Sequence, residues 1–398
     1  MAQRRVAIVG IHEWPSRFVR GEVNGMHIKS QSAAKALDDA GLSWKDIDAL
    51  YDDGDAQDWQ GFYMPEYFDL DLKVLDTTQV GGSSFEFHAA HAMRDLGSGK
   101  ANVALLTYGQ THRSAMTAIG TGSRYIQMGA PDPFSNMEDS FGPTVVSDYS
   151  MMAMRYMHDH GIKSEDLAQI AVDARYHALR NPDAVQAIND LKLRGGPVPI
   201  SIADVLSSPM IADPLHLLDC CMTSDGGGAV VLASEDVVRD CKTKPVWILG
   251  SGEAVKFRRN ADDLTVTGGA KSGPIAFGEA GVRPDEIDIA MVYDSFTITA
   301  LSTLEDLGFC KKGEGGDFVK GGALRFDGAG KLSLNTDGGG LSSNHPGQRG
   351  IFLLMEAARQ LRGESTSQVN NAKLAVAHGT GGSLSRRHAS ATIVLGSD

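Results

Sequence analysis

The chain repeats one pattern twice, and that repeat limits the folds open to it. Ala33-Ala-Lys-Ala-Leu-Asp-Asp-Ala-Gly41 is followed by Ile47-Asp48-Ala-Leu-Tyr51. Pro274-Ile-Ala-Phe-Gly-Glu-Ala-Gly281 is followed by Ile287-Asp288-Ile-Ala-Met291. Gly41 and Gly281 stand 281 − 41, or 240, residues apart, and Asp48 and Asp288 keep the same offset. Each copy reads as an amphipathic helix, a glycine stop, a short loop and a strand. The flanks repeat as well. A β-rich run precedes each helix, Arg5–Gly10 and Pro245–Gly250. A glycine-rich loop, Val80-Gly-Gly-Ser-Ser84 or Gly338-Gly-Gly-Leu-Ser342, then opens a long helix that leads into an apolar strand, Ala101–Tyr108 or Ala372–Ala377. Strands alternating with helices imply parallel sheets covered on both faces. The expected α/β organisation is two duplicated βαβαβ halves, residues 1–240 and 241–398.

The first half is longer by an insertion, roughly 112–205, expected as a large loop region carrying Met116, Met128, Met137, Met151, Met152, Met154 and Met157. Methionine fills irregular core space and also makes adaptable apolar walls. Core filling on helix faces is the expectation, with a wall for a bulky substrate as the alternative. His158-Asp-His-Gly161 is expected to end a helix rather than bind metal, because no further ligands of suitable spacing follow.

A net charge of −13 argues against a nucleic-acid surface, which needs a basic patch or stripe. No apolar run approaches the roughly 18–20 residues of a membrane span. The run Val6–Ile11 is too short for a signal peptide and stops at His12-Glu13. Cys220, Cys221, Cys241 and Cys310 match no zinc spacing and are expected as reduced, packed thiols in a cytoplasm.

Four further motifs stand in order. Asp213-Pro-Leu-His-Leu-Leu-Asp-Cys-Cys221 precedes Ser224-Asp-Gly-Gly-Gly-Ala-Val-Val231, and Tyr293-Asp-Ser-Phe296 comes next. Asn335-Thr-Asp-Gly-Gly339 with Asn344-His-Pro-Gly347 follows, and His378-Gly-Thr-Gly-Gly382 is last. Along nearly its whole length the chain resembles the thiolase superfamily, in the branch of the sterol-carrier-protein-type thiolases. The resemblance implies a five-layered αβαβα thiolase fold. It also implies a nucleophilic cysteine at the start of the first half's long helix. Counting back from Gly99 by the family's spacing reaches Gly82, and no cysteine occurs between Met1 and Asp219. Ser83 and Ser84 are nearby hydroxyls and are expected to cap the helix. The family's second cysteine, an acid/base, is replaced by His378.

Without an acyl acceptor, a thioester can still become an enolate if its carbonyl oxygen is stabilised. His345 matches the oxyanion histidine of thiolases. Gly82 and Ser83, Gly381 and Gly382, and Asn344 are expected to bind the CoA ester. This set suits retro-aldol cleavage of a β-hydroxyacyl-CoA. Tyr293 is expected as the base, helped by His345 or His378, with Asp294 orienting it. Steroid side-chain-cleaving CoA aldolases, which this chain resembles, carry the same Tyr-Asp-x-Phe motif, release propionyl-CoA, and use a second tyrosine that the segment Leu341–Gly347 lacks. His88 and His91 are assigned to helix packing or capping. Coenzyme A enters as part of the substrate, with no other cofactor. The resemblance further implies a homodimer and a small zinc-ribbon/OB-fold partner in a heterotetramer. An acyltransferase using a serine, and a non-catalytic CoA-ester- or lipid-binding subunit, remain as alternatives.

Overall fold

The computed structural model describes residues 4–21, 23–53, 60–115, 144–193, 195–257, 263–383 and 387–397. The two halves open alike. Strand β1 (Val6–Glu13) or β6 (Val246–Phe257) is followed by helix α1 (Gly25–Ala40) or α5 (Gly269–Ala280). Gly41 and Gly281 stop these helices at φ 77° and 69°, a conformation glycine adopts without strain. The helices lie close on their strands. A Cβ at Gly10 would come within 2.1 Å of the Ala36 carbonyl oxygen, and one at Gly250 within 2.3 Å of that of Ala276.

Next come β2 (Ala49–Asp52) and β7 (Ile289–Val292), the latter followed by α6 (Thr297–Asp306), then the edge strands β3 (Val74–Asp76) and β8 (Ser333–Leu334). A central helix follows, α2 (Ser84–Gly97) or α7 (Gly350–Arg362), and then β4 (Val103–Gln110) or β9 (Leu374–Ser383). Each half finishes with a further strand, β5 (Gly226–Ser234) or β10 (Arg387–Gly396). The full order is β8-β7-β9-β10-β6-β1-β5-β4-β2-β3, so the same strand order occurs twice. The sheets meet at one edge, where β1 and β6 share two residue pairs.

The sheets are mixed, not wholly parallel. β2, β3 and β4 run parallel, as do β7, β8 and β9, but β5 is antiparallel to both its neighbours, and so is β10. An antiparallel last strand needs no crossover helix, so the helix–strand alternation does not announce it.

α2 and α7 contact both sheets, while α1 and α5 cover the outer faces. This is the five-layered αβαβα arrangement that the resemblance implies. Its central core joins Phe85, Ala89 and Ala90 of α2 with Ile351–Met355 of α7. The second glycine-rich loop opens only a single turn, Gly339–Ser342, and the long helix starts later, at Gly350. Pro346 disfavours helical geometry in the residue before it and so separates the two.

The described part of the insertion is helical. α3 (Val145–His160) is capped by the Thr144 side chain and stopped by Gly161 at φ 71°, and α4 (Ser164–Ala178) follows. Met152 is buried, whereas Met151 and Met154 are exposed. Met116, Met128 and Met137 lie outside the described residues. Among the described residues no helix is long and apolar enough to cross a membrane.

The repeat's aspartates do equal work. Asp48 accepts from the N–H groups of Asn102 and Val103 at 2.9 Å, at the start of β4. Asp288 accepts from those of Lys373 and Leu374 at 2.8 and 3.0 Å, at the start of β9. Asp48→Ala and Asp288→Ala each leave two strand N–H groups without that acceptor. Each is expected to cost about 1–3 kcal/mol, read from urea unfolding, with similar losses for the two variants.

Candidate active site

Tyr293 follows β7 directly, and its backbone N–H donates to the His378 carbonyl at 3.0 Å. Its hydroxyl lies 3.0 Å from His345 Nε2, with the two rings nearly perpendicular at 86°. His345 is held from the backbone. Its N–H donates to Ser224 Oγ at 2.9 Å, and the Ser224 N–H donates to its carbonyl at 3.3 Å. The Ser-Asp-Gly motif that closes the first half thus positions the histidine of the second.

The first half contributes the turn before α2. A Cβ at Gly82 would lie 2.3 to 2.4 Å from the Tyr293 ring carbons and hydroxyl oxygen. The Tyr293 phenol therefore fills the space beside Gly82, the position that the family's spacing reaches, and leaves no room for a side chain there. The turn is packed equally tightly on its other side. A Cβ at Gly381 would come within 1.8 Å of the Val80 carbonyl, and the Gly350 N–H donates to the Gly82 carbonyl at 3.1 Å. The starts of α2 and α7 therefore meet beneath the tyrosine.

Gly81, Gly82, Tyr293, His345, Gly381 and Gly382 line one cavity of about 970 Å³, at the upper end of the range for small-molecule sites. Tyr149 and Val145 of α3, with Phe296, form an apolar wall, and Tyr149 packs against Phe296 at 4.6 Å. Among the described residues the insertion thus builds part of the wall with an aromatic and a valine, not with methionines.

The other expected site residues lie elsewhere. Asp294 is fully buried behind Tyr293, not in the cavity. It accepts from the Gly340 N–H at 2.7 Å and pairs with Arg349 Nε at 3.2 Å. Burial pushes its pKa up to about 6, against the pull of Arg349. Asn344 is turned away from the cavity: its amide donates to Glu13 at 2.7 Å and its oxygen accepts from Arg349. Ser83 is buried in the cavity wall's second layer, 3.3 Å from the Ala389 carbonyl. Ser83 makes no side-chain capping bond, and Ser84 Oγ donates to the Gly81 carbonyl at 2.7 Å, so these hydroxyls brace the loop. His378 faces the outer helix, its Cε1 3.3 Å from where a Gly269 Cβ would stand, while Gly379 and Gly381 face the α2 turn. Its Nδ1 lies 2.8 Å from Thr392 Oγ1.

Burial lowers the pKa of both His345 and His378 to about 3, and Arg349 adds to the effect at His345. Both are neutral imidazoles near neutral pH. Neither is basic enough to draw the proton from a phenol, so the expected help for Tyr293 as a base is not supplied that way. His88 and His91 sit on α2, bonded to the Thr78 carbonyl at 2.9 Å and to Asp76 at 2.5 Å. The cysteines are all free, and burial pushes the Cys220 and Cys310 thiols up to about 12. Among the described residues no cluster of three or more His, Cys, Asp and Glu side chains could hold a metal ion.

Three residues escaped the sequence reading. Tyr108, at the end of β4, donates from its hydroxyl to the Pro346 carbonyl at 2.6 Å and accepts from the Gln348 N–H at 3.0 Å, which clamps the His345 loop. His112 lines the cavity from the turn after β4. Arg349, fully buried, donates to both Asp337 oxygens at 2.8 and 2.6 Å as well as pairing with Asp294. Only Arg349 had a local signal, a charge set beside the Gly-x-x-Gly opening of an apolar helix.

Residues 252–397 match the family described as thiolase C-terminal domain-like. A 17-hydroxy-3-oxo-4-pregnene-20-carboxyl-CoA lyase of Mycobacterium tuberculosis is 31% identical over 96% of this chain and 98% of its own. The chain belongs to the thiolase superfamily. An acetyl-CoA acetyltransferase of Methanothermobacter thermautotrophicus is 29% identical over 95% of this chain and 97% of its own. Among solved structures, an Ltp2-ChsH2(DUF35) aldolase superposes with a TM-score of 0.86 at 28% identity, covering 100% of this chain and 99% of that one.

The core of this chain keeps Arg349 paired with two buried carboxylates. Arg349→Met would leave Asp294 and Asp337 buried without their cation. It is expected to destabilise the protein by about 3–5 kcal/mol, measured by denaturant unfolding.

Proposed function

We propose that this thiolase-superfamily chain is an aldolase that cleaves β-hydroxyacyl-CoA esters by a retro-aldol reaction. The observation that carries this reading is the Tyr293 phenol standing in the space a nucleophilic thiol would need, 3.0 Å from a neutral His345. A phenol at that point moves protons and forms no acyl-enzyme. In the reaction the β-hydroxyl loses its proton and the Cα–Cβ bond breaks. Its electron pair is held as the thioester enolate, which is then protonated. The products are a ketone or aldehyde and a shorter acyl-CoA. Tyr293 exchanges a proton at the scissile bond. His345, as its Nε2–H tautomer, donates toward the thioester oxygen where charge develops. The positive end of α2, which begins at Ser84 beneath this point, favours the same charge.

The substrate class follows from the wall. A cavity of about 970 Å³ with Tyr149, Phe296 and Val145 on one side suits a bulky, rigid apolar acyl group. The name of the M. tuberculosis relative specifies a 17-hydroxy pregnene carboxyl-CoA. A steroid side-chain CoA giving a 17-ketone and propionyl-CoA is therefore the substrate to try first.

For partners, the similar aldolase structure is named as a complex with ChsH2(DUF35). A small zinc-ribbon/OB-fold subunit that helps bind CoA is the corresponding partner here, two copies of each chain forming a heterotetramer around a homodimer. The strand β3 supports the dimer, because among the described residues it ends the strand order and carries Leu75 at 44% exposure.

The test is incubation of the complex with β-hydroxyacyl-CoA esters, steroid and aromatic, with ketone and short acyl-CoA followed by chromatography. Tyr293→Phe is expected to lower turnover by about 10²–10⁴-fold. An acyl group found covalently on the wild-type protein by mass spectrometry would replace this reading with acyl transfer. Gly82→Cys is expected to lose cleavage without gaining such an adduct, since its Cβ has no room beside Tyr293.

A further inference from the structure

Retro-aldol cleavage needs two proton transfers, one from the β-hydroxyl and one to the α-carbon. Tyr293 is a single such group, and its neighbour His345, held neutral, serves the thioester oxygen through its Nε2–H. The second group must face the same cavity. Most candidates there are already engaged. The Tyr108 hydroxyl is held between the Pro346 carbonyl and the Gln348 N–H. Tyr149 leans on the Gly382 carbonyl at 3.4 Å. His388 Nε2 is 2.8 Å from Ser390 Oγ, and Lys256 donates to the Val266 carbonyl at 2.7 Å.

His112 differs from all of these. Its half-buried ring lines the cavity and makes no hydrogen bond among the described residues. It is close enough to His345 that a charge on it disfavours protonation there. Its place is fixed by the backbone two residues on. The Ser114 N–H donates to Asp225 at 2.9 Å, and Ser114 Oγ donates to the Val19 carbonyl at 2.8 Å and also bonds Asp225. Asp225 in turn accepts from the Val19 N–H at 2.8 Å. The turn presenting the imidazole is therefore tied to two neighbouring segments, and the ring is left free toward the cavity.

We propose that His112 is the general base that takes the β-hydroxyl proton, leaving Tyr293 as the acid that protonates the enolate carbon. The step balances without a co-reactant. The hydroxyl proton goes to the imidazole, and the O–H pair becomes the carbonyl. The Cα–Cβ pair becomes the enolate, and the Tyr293 O–H proton goes to Cα. The imidazolium then returns its proton to the phenolate through solvent. Burial holds His112 below its ordinary pKa of 6.5, against the pull of Asp225, so the ring is neutral and able to accept near neutral pH. The titratable groups facing it are Asp225 at the head of β5, His345 in the loop before α7, Tyr293 after β7 and Tyr108 at the end of β4. This assignment rests on the retro-aldol reading.

The experiment uses the complex and a β-hydroxyacyl-CoA that the wild type cleaves. His112→Ala is expected to lower kcat at least about 10²-fold with KM within a few-fold. The acid limb of the kcat/KM profile, which in the wild type falls below pH 6.5, is expected to disappear. Added imidazole should restore part of the rate, and His112→Gln, similar in size, should stay slow with an unchanged melting temperature. A His112→Ala rate within threefold of wild type overturns the proposal. So does a slow variant that keeps the acid limb and gains nothing from imidazole, because that pattern marks a structural role. A wild type that cleaves no β-hydroxyacyl-CoA removes the retro-aldol reading itself, a result distinct from either.

Discussion

Everything in the active region is hung on one buried cation. Arg349 stands at the entry to α7 and reaches Asp337, Asp294 and Asn344, with none of its own surface open to water. Burying a guanidinium costs several kcal/mol, and two carboxylates with near-ideal geometry offset that cost. What results is positional. Asp294 is the residue after Tyr293, and Asn344 is the residue before His345. The same cation thus fixes the chain next to both members of the tyrosine–histidine pair, from behind and out of reach of substrate. Asp294 and Asn344 then act on the chemistry through their neighbours in the sequence.

The pair also needs both halves of the molecule. Tyr293 and His345 come from the second half, but Ser224 holds the His345 backbone, Tyr108 clamps the following loop, and Gly82 leaves room for the phenol. The point where the starts of α2 and α7 touch is where the repeated halves face one another, and the cavity opens above it. Two copies of one architecture therefore make a single asymmetric site. The second half supplies the tyrosine–histidine pair, and the first supplies the shape around it together with His112.

The repeat made much of the fold legible. The helix, glycine stop and strand recur with their aspartate, and the structure gives that aspartate the same pair of N–H donors each time. Gly82, Tyr293 and His345 were legible from short motifs because each motif is local. Tyr108 and His112 were not. Tyr108 ends an apolar strand and meets Gln348 across a sequence separation of 240, so nothing near it in the chain marks its task. The final strands β5 and β10 were missed because their antiparallel pairing requires no helix to announce them. His378 looked functional from its motif. On β9 it faces the outer helix, and the pleat gives the other face of the strand to glycines that let the α2 turn approach.

The contact between Gly82 and Tyr293 also constrains how such a site can change over generations. A side chain at 82 and a phenol at 293 compete for one volume, since the two would stand 2.3 Å apart. A cysteine at 82 blocks the tyrosine, and the tyrosine blocks the cysteine's return. Any single-substitution route between covalent and proton-transfer chemistry must pass through glycine at 82 with a smaller residue at 293, an ancestor lacking both reactive groups. Reversal meets the same inert intermediate from the other side, because the two side chains cannot share that volume.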